Sequence, residues 1–162
     1  MVSEDHSRRR LIFLGDRSFE FEEGQEDGIG RRRVEIVERG QGLRRNIDLV
    51  GAEIKWVASQ LLRLSRRVVN KVFLGRVSGG RRSVACWLRH GEEGNEVQVV
   101  VQLGDRRRQI FIPESSHGDG WEGVALVLEG FWGGNGWVSR GSANHIVKVR
   151  ATMDGASGEV YW

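Results

Sequence analysis

Three sets of side chains in this sequence could do chemistry: a short Ser-His-Asp run, scattered histidines with one cysteine, and arginines interleaved with aromatic rings. Ser115, Ser116, His117 and Asp119 carry the groups of a hydrolase triad, but they lie within five residues ahead of a helical stretch. A working triad draws its members from separated segments into one relay, so this run reads as a polar turn and helix cap. His6, His90, His117 and His145 lack metal-ligand spacing. Gly28-Ile29-Gly30 lacks the third glycine of a dinucleotide fingerprint and leads into a strand. Gly75 and Gly80 have P-loop spacing, but Arg81-Arg82 stand where Lys-Ser/Thr is required. The acidic pairs Glu22/Glu23 and Glu92/Glu93 sit in or beside turns, and Cys86 alternates onto an aliphatic face as an inert core thiol. No catalytic residue, metal or cofactor is assigned, and the chain reads as a non-enzyme.

The arginines and rings remain. Successive strand residues point to opposite faces. Over Ser83–Arg89, Val84, Cys86 and Leu88 point one way, and Ala85, Trp87 and Arg89 the other. Over Arg106–Ile112, Ile110 and Ile112 oppose Arg107, Gln109 and Phe111; over Glu96–Leu103, Val97, Val99 and Val101 oppose Gln98, Val100 and Gln102. In the first half, Arg33, Arg39, Arg44 and Asn46 fall on the corresponding face. Exposed rings stack with bases for roughly 1–3 kcal/mol each, and guanidinium forks hold phosphates. The expected contacts are therefore Arg39, Arg44, Trp87, Arg89, Arg107, Gln109 and Phe111. The same residue types are enriched at protein interfaces, so a surface buried against another chain is the competing reading.

Composition bounds the choice. At 162 residues the chain is long enough for one domain with a substantial core. Of its 25 cationic residues only Lys55, Lys71 and Lys148 are lysine. Arginine is the cation that forks onto phosphate and stacks on rings. A net charge of +3 suits a polyanionic partner. A single cysteine rules out an internal disulfide and a Cys-based zinc knuckle. Apolar runs such as Leu11–Leu14 and Val124–Leu128 are too short to span a bilayer. The expected setting is intracellular, nuclear rather than organellar, with no membrane partner.

The elements that must position these residues come twice. Gly42-Leu-Arg-Arg-Asn-Ile-Asp-Leu49 leads into a segment with Trp56, and Gly104-Asp-Arg-Arg-Arg-Gln-Ile-Phe-Ile112 into one with Trp121. Residues 1–10 read as a flexible basic arm, 11–132 as a two-repeat domain, and 133–162 as a poorly defined Gly/Ser-rich tail. Strands are expected over Arg17–Glu23, Arg32–Arg39, Leu43–Leu49, Lys71–Val77, Ser83–Arg89, Glu96–Leu103 and Arg106–Ile112. Ile54, Val57, Ala58, Leu61 and Leu62 shift to helical spacing, predicting a helix over 51–67. Asp119 and Glu122 predict a capped second helix over about 120–131. The class is α+β: two repeats of about three to four antiparallel strands then one helix. Duplicated units that each need a partner to bury an apolar face predict one shared sheet with helices on one side.

Arg17-Ser-Phe-Glu-Phe21, Val34-Glu-Ile-Val-Glu-Arg39 and the following helix resemble the repeat of PUR-type single-stranded nucleic-acid-binding proteins. The plant Whirly proteins have a similar architecture. With Ile110-Phe-Ile-Pro113 and Gly120-Trp121 in the same order, residues 17–132 resemble a plant Whirly/PUR-like domain found in retroelement-related proteins. The basic tetramer motif of Whirly proteins is not found in this sequence. The resemblance implies a PUR/Whirly-like fold and a single-stranded DNA or RNA partner, with no catalytic chemistry. The alternatives are a self-assembly or protein-interaction platform, as in a homo-oligomer, or a retroelement remnant without a retained role.

Overall fold

The computed structural model describes residues 8–24, 31–66, 71–91, 94–114 and 119–133. Strands β1 (Arg9–Leu14), β2 (Arg17–Gly24), β3 (Arg33–Gly40) and β4 (Leu43–Val50) run into helix α1 (Ala52–Ser65). The plan then repeats as β5 (Phe73–Gly79), β6 (Arg82–Gly91), β7 (Gly94–Leu103), β8 (Arg106–Pro113) and α2 (Asp119–Gly133). Each set of strands is an antiparallel meander in sequence order. The protein is α+β, with two four-stranded sheets and two helices. The shared sheet expected from the duplication is therefore two sheets, because the neighbouring edges of β4 and β8 meet through side chains and form no ladder.

Alternation sets which face is buried. The first sheet turns Ile12, Phe19, Phe21, Val34, Ile36, Ile47 and Leu49 inward, and the second Val84, Cys86, Val97, Val99, Ile110 and Ile112. These join Ile54, Val57, Ala58 and Leu61 of α1 and Val124, Ala125 and Leu128 of α2 in one continuous core. Full burial of each large apolar side chain contributes about 1.5–3 kcal/mol. The helices pack on each other and cross over: α1 contacts β4 and reaches β6, while α2 contacts β8 and reaches β1. Gly120 permits the chain to enter α2, since a Cβ there would stand 2.5 Å from the Pro113 carbonyl oxygen. Trp121 then donates its indole Nε1–H to the Ile112 carbonyl at 2.9 Å, which fixes α2 to β8.

A crossed pair of clamps joins the repeats. Arg17 and Arg82 are the first residues of β2 and β6. The Arg17 guanidinium donates to the Phe111 carbonyl of β8 at 3.3 Å, and the Arg82 guanidinium to the Asp48 carbonyl of β4. Phe111 and Asp48 are each the sixth residue of their strands. A carboxylate completes each clamp. Glu53 of α1 pairs with Arg82 at 2.8 Å. Glu38 of β3, with no exposed surface, accepts the Phe111 backbone N–H at 2.9 Å and faces Arg17 and Arg45 at 3.5 Å. An edge strand's open N–H and C=O groups invite unwanted pairing, and here the Phe111 N–H and C=O and the Asp48 C=O are met from the other repeat.

Burial lowers the tendency of Arg82 to stay charged, but Glu53 and Asp48 outweigh it and its pKa rises. Burial raises the Glu38 pKa above its ordinary 4.5, against the opposing pull of the Phe111 N–H, Arg45 and Arg17.

Several boundaries differ from the sequence expectation. β1 takes in Arg9 and Arg10 of the expected arm, and Arg10 is buried. β5 starts at Phe73 and runs to Gly79. Residues 1–7, the 28–30 glycines, the Glu92/Glu93 pair, Ser115–His117 and the 134–162 part of the expected tail lie outside the described residues, as does the side chain of Asp119. Among the described residues no helix is long and apolar enough to cross a membrane.

Glu38 gives this seam a pH signature. Its raised folded-state pKa means that its favourable contribution is complete below about 4.5 and is lost as pH rises through the higher folded value. Glu38→Gln keeps an acceptor for the Phe111 N–H but cannot titrate, so its stability relative to the parent should improve from acid to neutral pH. Glu38→Ala, which leaves that N–H unmet, should cost about 1–3 kcal/mol throughout. Thermal melts across that range check both, and parallel pH profiles for the parent and Glu38→Gln would contradict the assignment.

Candidate functional site

The two outer sheet faces differ in charge. On the first sheet the outward side chains include Arg9, Arg33, Arg39 and Arg44 against Glu20, Glu22, Glu35 and Asp48. Four cations meet four anions, and several are paired: Arg39 with Glu20 at 2.8 Å, Arg33 with Asp48 at 3.2 Å, and Arg9 also with Glu20. This face is electrically balanced.

The second sheet's outer face holds a shallow trough of about 290 Å³, at the small end for a ligand pocket. Arg76, Trp87, Arg89, Gln98, Gln102 and Arg107 supply its chemistry, with Ser83, Ala85 and Val100 along its floor. None of Arg76, Arg89 and Arg107 has an ionic partner among the described residues. The face has one carboxylate among those residues, Glu96, and it is turned to Arg17 at 3.3 Å. Trp87 is partly exposed, and its ring is held against Phe73 at a centroid distance of 4.5 Å and an angle of 43°. No residue of either helix lines the trough around it.

A chain of hydrogen bonds crosses the face. Arg89 Nη1 donates to Gln98 Oε1 at 2.9 Å, and Gln98 Nε2 donates to Gln109 Oε1 at 2.6 Å. Register aligns these residues, with Arg89 beside Glu96, Trp87 opposite Gln98, and Gln98 opposite Phe111.

The expected contacts therefore separate into two groups. Trp87, Arg89, Arg107, Gln109 and Phe111 share the second sheet's outer face, and Trp87, Arg89 and Arg107 line the trough itself. Phe111 is half-buried at the margin, with the Arg45 guanidinium 4.5 Å over its ring, so that ring face is already occupied. Arg39 and Arg44 lie on the other sheet, opposite one another in register, and are not brought to the trough. Cys86 is buried in the core, where desolvation pushes its thiol up to about 12. That value keeps the sulfur protonated and unreactive.

Arg76 is the trough residue that strand alternation misses. Phe73 pairs with Trp87, so strict alternation would turn residue 76 inward. A bulge between Phe73 and Gly75 adds one residue, and Arg76 pairs with Ala85 on the outer face. Gly75 makes the bulge feasible. Its φ is +152°, and a Cβ would lie 3.1 Å from the Trp56 ring of α1. The lone glycine inside an apolar run is the signal that could have located it.

No model of a known protein family matches this chain, and no curated protein matches it either.

Because a side chain at position 75 would meet both the backbone restriction and the Trp56 ring, Gly75→Ala should destabilise the protein by about 1–3 kcal/mol. Chemical denaturation measures this directly. An unchanged midpoint would show that the bulge and its helix contact do not constrain β5.

Proposed function

We propose that the chain is a non-enzymatic module that binds single-stranded DNA or RNA on the outer face of its second sheet, as a PUR/Whirly-like domain would. The observation that carries this reading is the trough, where three guanidinium groups without carboxylate partners among the described residues surround a partly exposed indole. An unpaired strand offers the two complementary groups: phosphates for the arginines, and an open base face for the ring. A duplex keeps its base faces stacked inside. The near-exclusive use of arginine over lysine supports the same partner, since the guanidinium fork matches phosphate geometry. Packing against Phe73 holds the Trp87 ring in place, so little side-chain freedom is lost on stacking.

Arg39 and Arg44, expected from the strand pattern to join the same contact surface, have no such support. Arg39 is already paired with Glu20, on a face where acids balance bases.

Fluorescence polarisation with single-stranded and duplex oligonucleotides at several salt concentrations tests the reading. Three phosphate contacts predict a log–log salt slope of about −2 for single strands, and Arg107→Ala should reduce its magnitude by about 0.7. Trp87→Ala should cost about 1–3 kcal/mol of binding, while Arg39→Ala should leave affinity nearly unchanged. Absence of binding at low salt, or equal affinity for duplex, would overturn the proposal. A stable oligomer in light scattering that Trp87→Ala converts to monomer would favour the self-assembly reading instead.

A further inference from the structure

Resting on the nucleic-acid reading, we infer that the trough favours bases with a keto oxygen at the reading edge, uracil, thymine or guanine, over the amino-bearing cytosine and adenine. The polarity of the hydrogen-bond chain across the sheet sets this preference. A guanidinium has donors and no acceptor. The atom of Gln98 that faces Arg89 must therefore be its oxygen, and the bond runs from Arg89 Nη1 to Gln98 Oε1 at 2.9 Å. That choice turns the Gln98 amide nitrogen toward Gln109, which must answer with its own oxygen at 2.6 Å. Gln109 is left with its NH₂ group directed away from the chain and without a hydrogen-bond partner among the described residues.

Reversing either amide would set nitrogen against nitrogen or oxygen against oxygen, so the relay has one stable sense. Burial holds it there, because Gln98 is only 4% exposed. Gln109 is partly exposed and sits between Arg107 and Phe111 on the β8 margin of the trough. Gln109 does not line the trough itself, but it is bonded to Gln98 and is two residues from Arg107, both of which do. Its unused donors therefore adjoin the place of a base stacked on Trp87, and Arg107 and Arg89 add only more donors. The one amide that could offer an acceptor is Gln102. It is exposed, and its single bond, to the Gly104 carbonyl, is 3.4 Å long, so nothing fixes its orientation. A donor-bearing wall accepts the O4 of uracil or the O6 of guanine and opposes the amino groups of cytosine and adenine.

The test uses the whole chain and oligonucleotides of about 12 residues, within the usual span of a single-strand site. Oligo-dU and oligo-dC at neutral pH differ only in the base edge, and dU should bind about five- to tenfold tighter. Oligo-dT in place of dU controls for the thymine methyl group. Gln109→Ala should bring the dU:dC ratio close to one while binding to dC persists through the arginines and Trp87. Gln109→Glu, which still accepts from Gln98 but presents an acceptor outward, should turn the ratio in favour of dC. Equal or tighter binding of dC by the parent chain, or an unchanged ratio in both variants, would overturn the inference and leave strand binding itself intact. Failure to bind any of the three oligonucleotides at low salt would overturn the nucleic-acid reading and this inference together.

Discussion

The arrangement of the whole molecule depends on how two strand edges are satisfied. β4 and β8 each end a meander, and each presents backbone groups that have no partner in their own sheet. Glu38 and Arg17 meet the N–H and C=O of Phe111, and Arg82, itself held by Glu53, meets the C=O of Asp48. A buried carboxylate is costly to desolvate unless its oxygens are engaged, and Glu38 is engaged by one backbone donor and two guanidinium groups. The seam is polar and directional, so it fixes how one repeat lies against the other in a way that a purely apolar contact would not.

That constraint decides which surfaces remain open. Both inner faces join the common core, and each helix touches strands of both repeats, so that among the described residues two outer faces with unlike electrostatics remain. On the first sheet each arginine row has an acidic row beside it, as in Arg39 next to Glu20. On the second the single carboxylate among the described residues, Glu96, is turned to Arg17 of the other repeat. The clamp that secures the fold thus also removes the anion that would have neutralised the trough. Arg45, stacked over Phe111, closes one margin of the same face.

Much of the fold was legible in the sequence because period-two and period-3.6 patterns are local. The alternation in Ser83–Arg89 and Arg106–Ile112 correctly sorted Trp87 and Arg107 from Cys86 and Ile110, and the change of period near residue 52 located α1. Long-range facts were not encoded that way. Nothing in the neighbourhood of Arg39 and Arg44 distinguishes them from Arg89 and Arg107, and only the division into two sheets places them on a different surface. Glu38 sits in an ordinary-looking Val-Glu-Arg run, yet it is among the buried polar residues, because the edge that it caps lies 73 positions away. Arg76 escaped for a local reason, the single residue inserted by the Gly75 bulge, which inverts every expectation drawn from simple alternation.

The central claim is spatial: one particular sheet face meets the nucleic acid. Backbone amide shifts of the isotopically labelled protein, recorded while a short single-stranded oligonucleotide is titrated in, test it most directly. The account predicts that the largest perturbations fall on β5–β8 around Arg76, Trp87, Arg89 and Arg107, with β1–β4 and both helices little changed. Perturbations centred on Arg39 and Arg44 of the first sheet, or spread along α1 and α2, would contradict it.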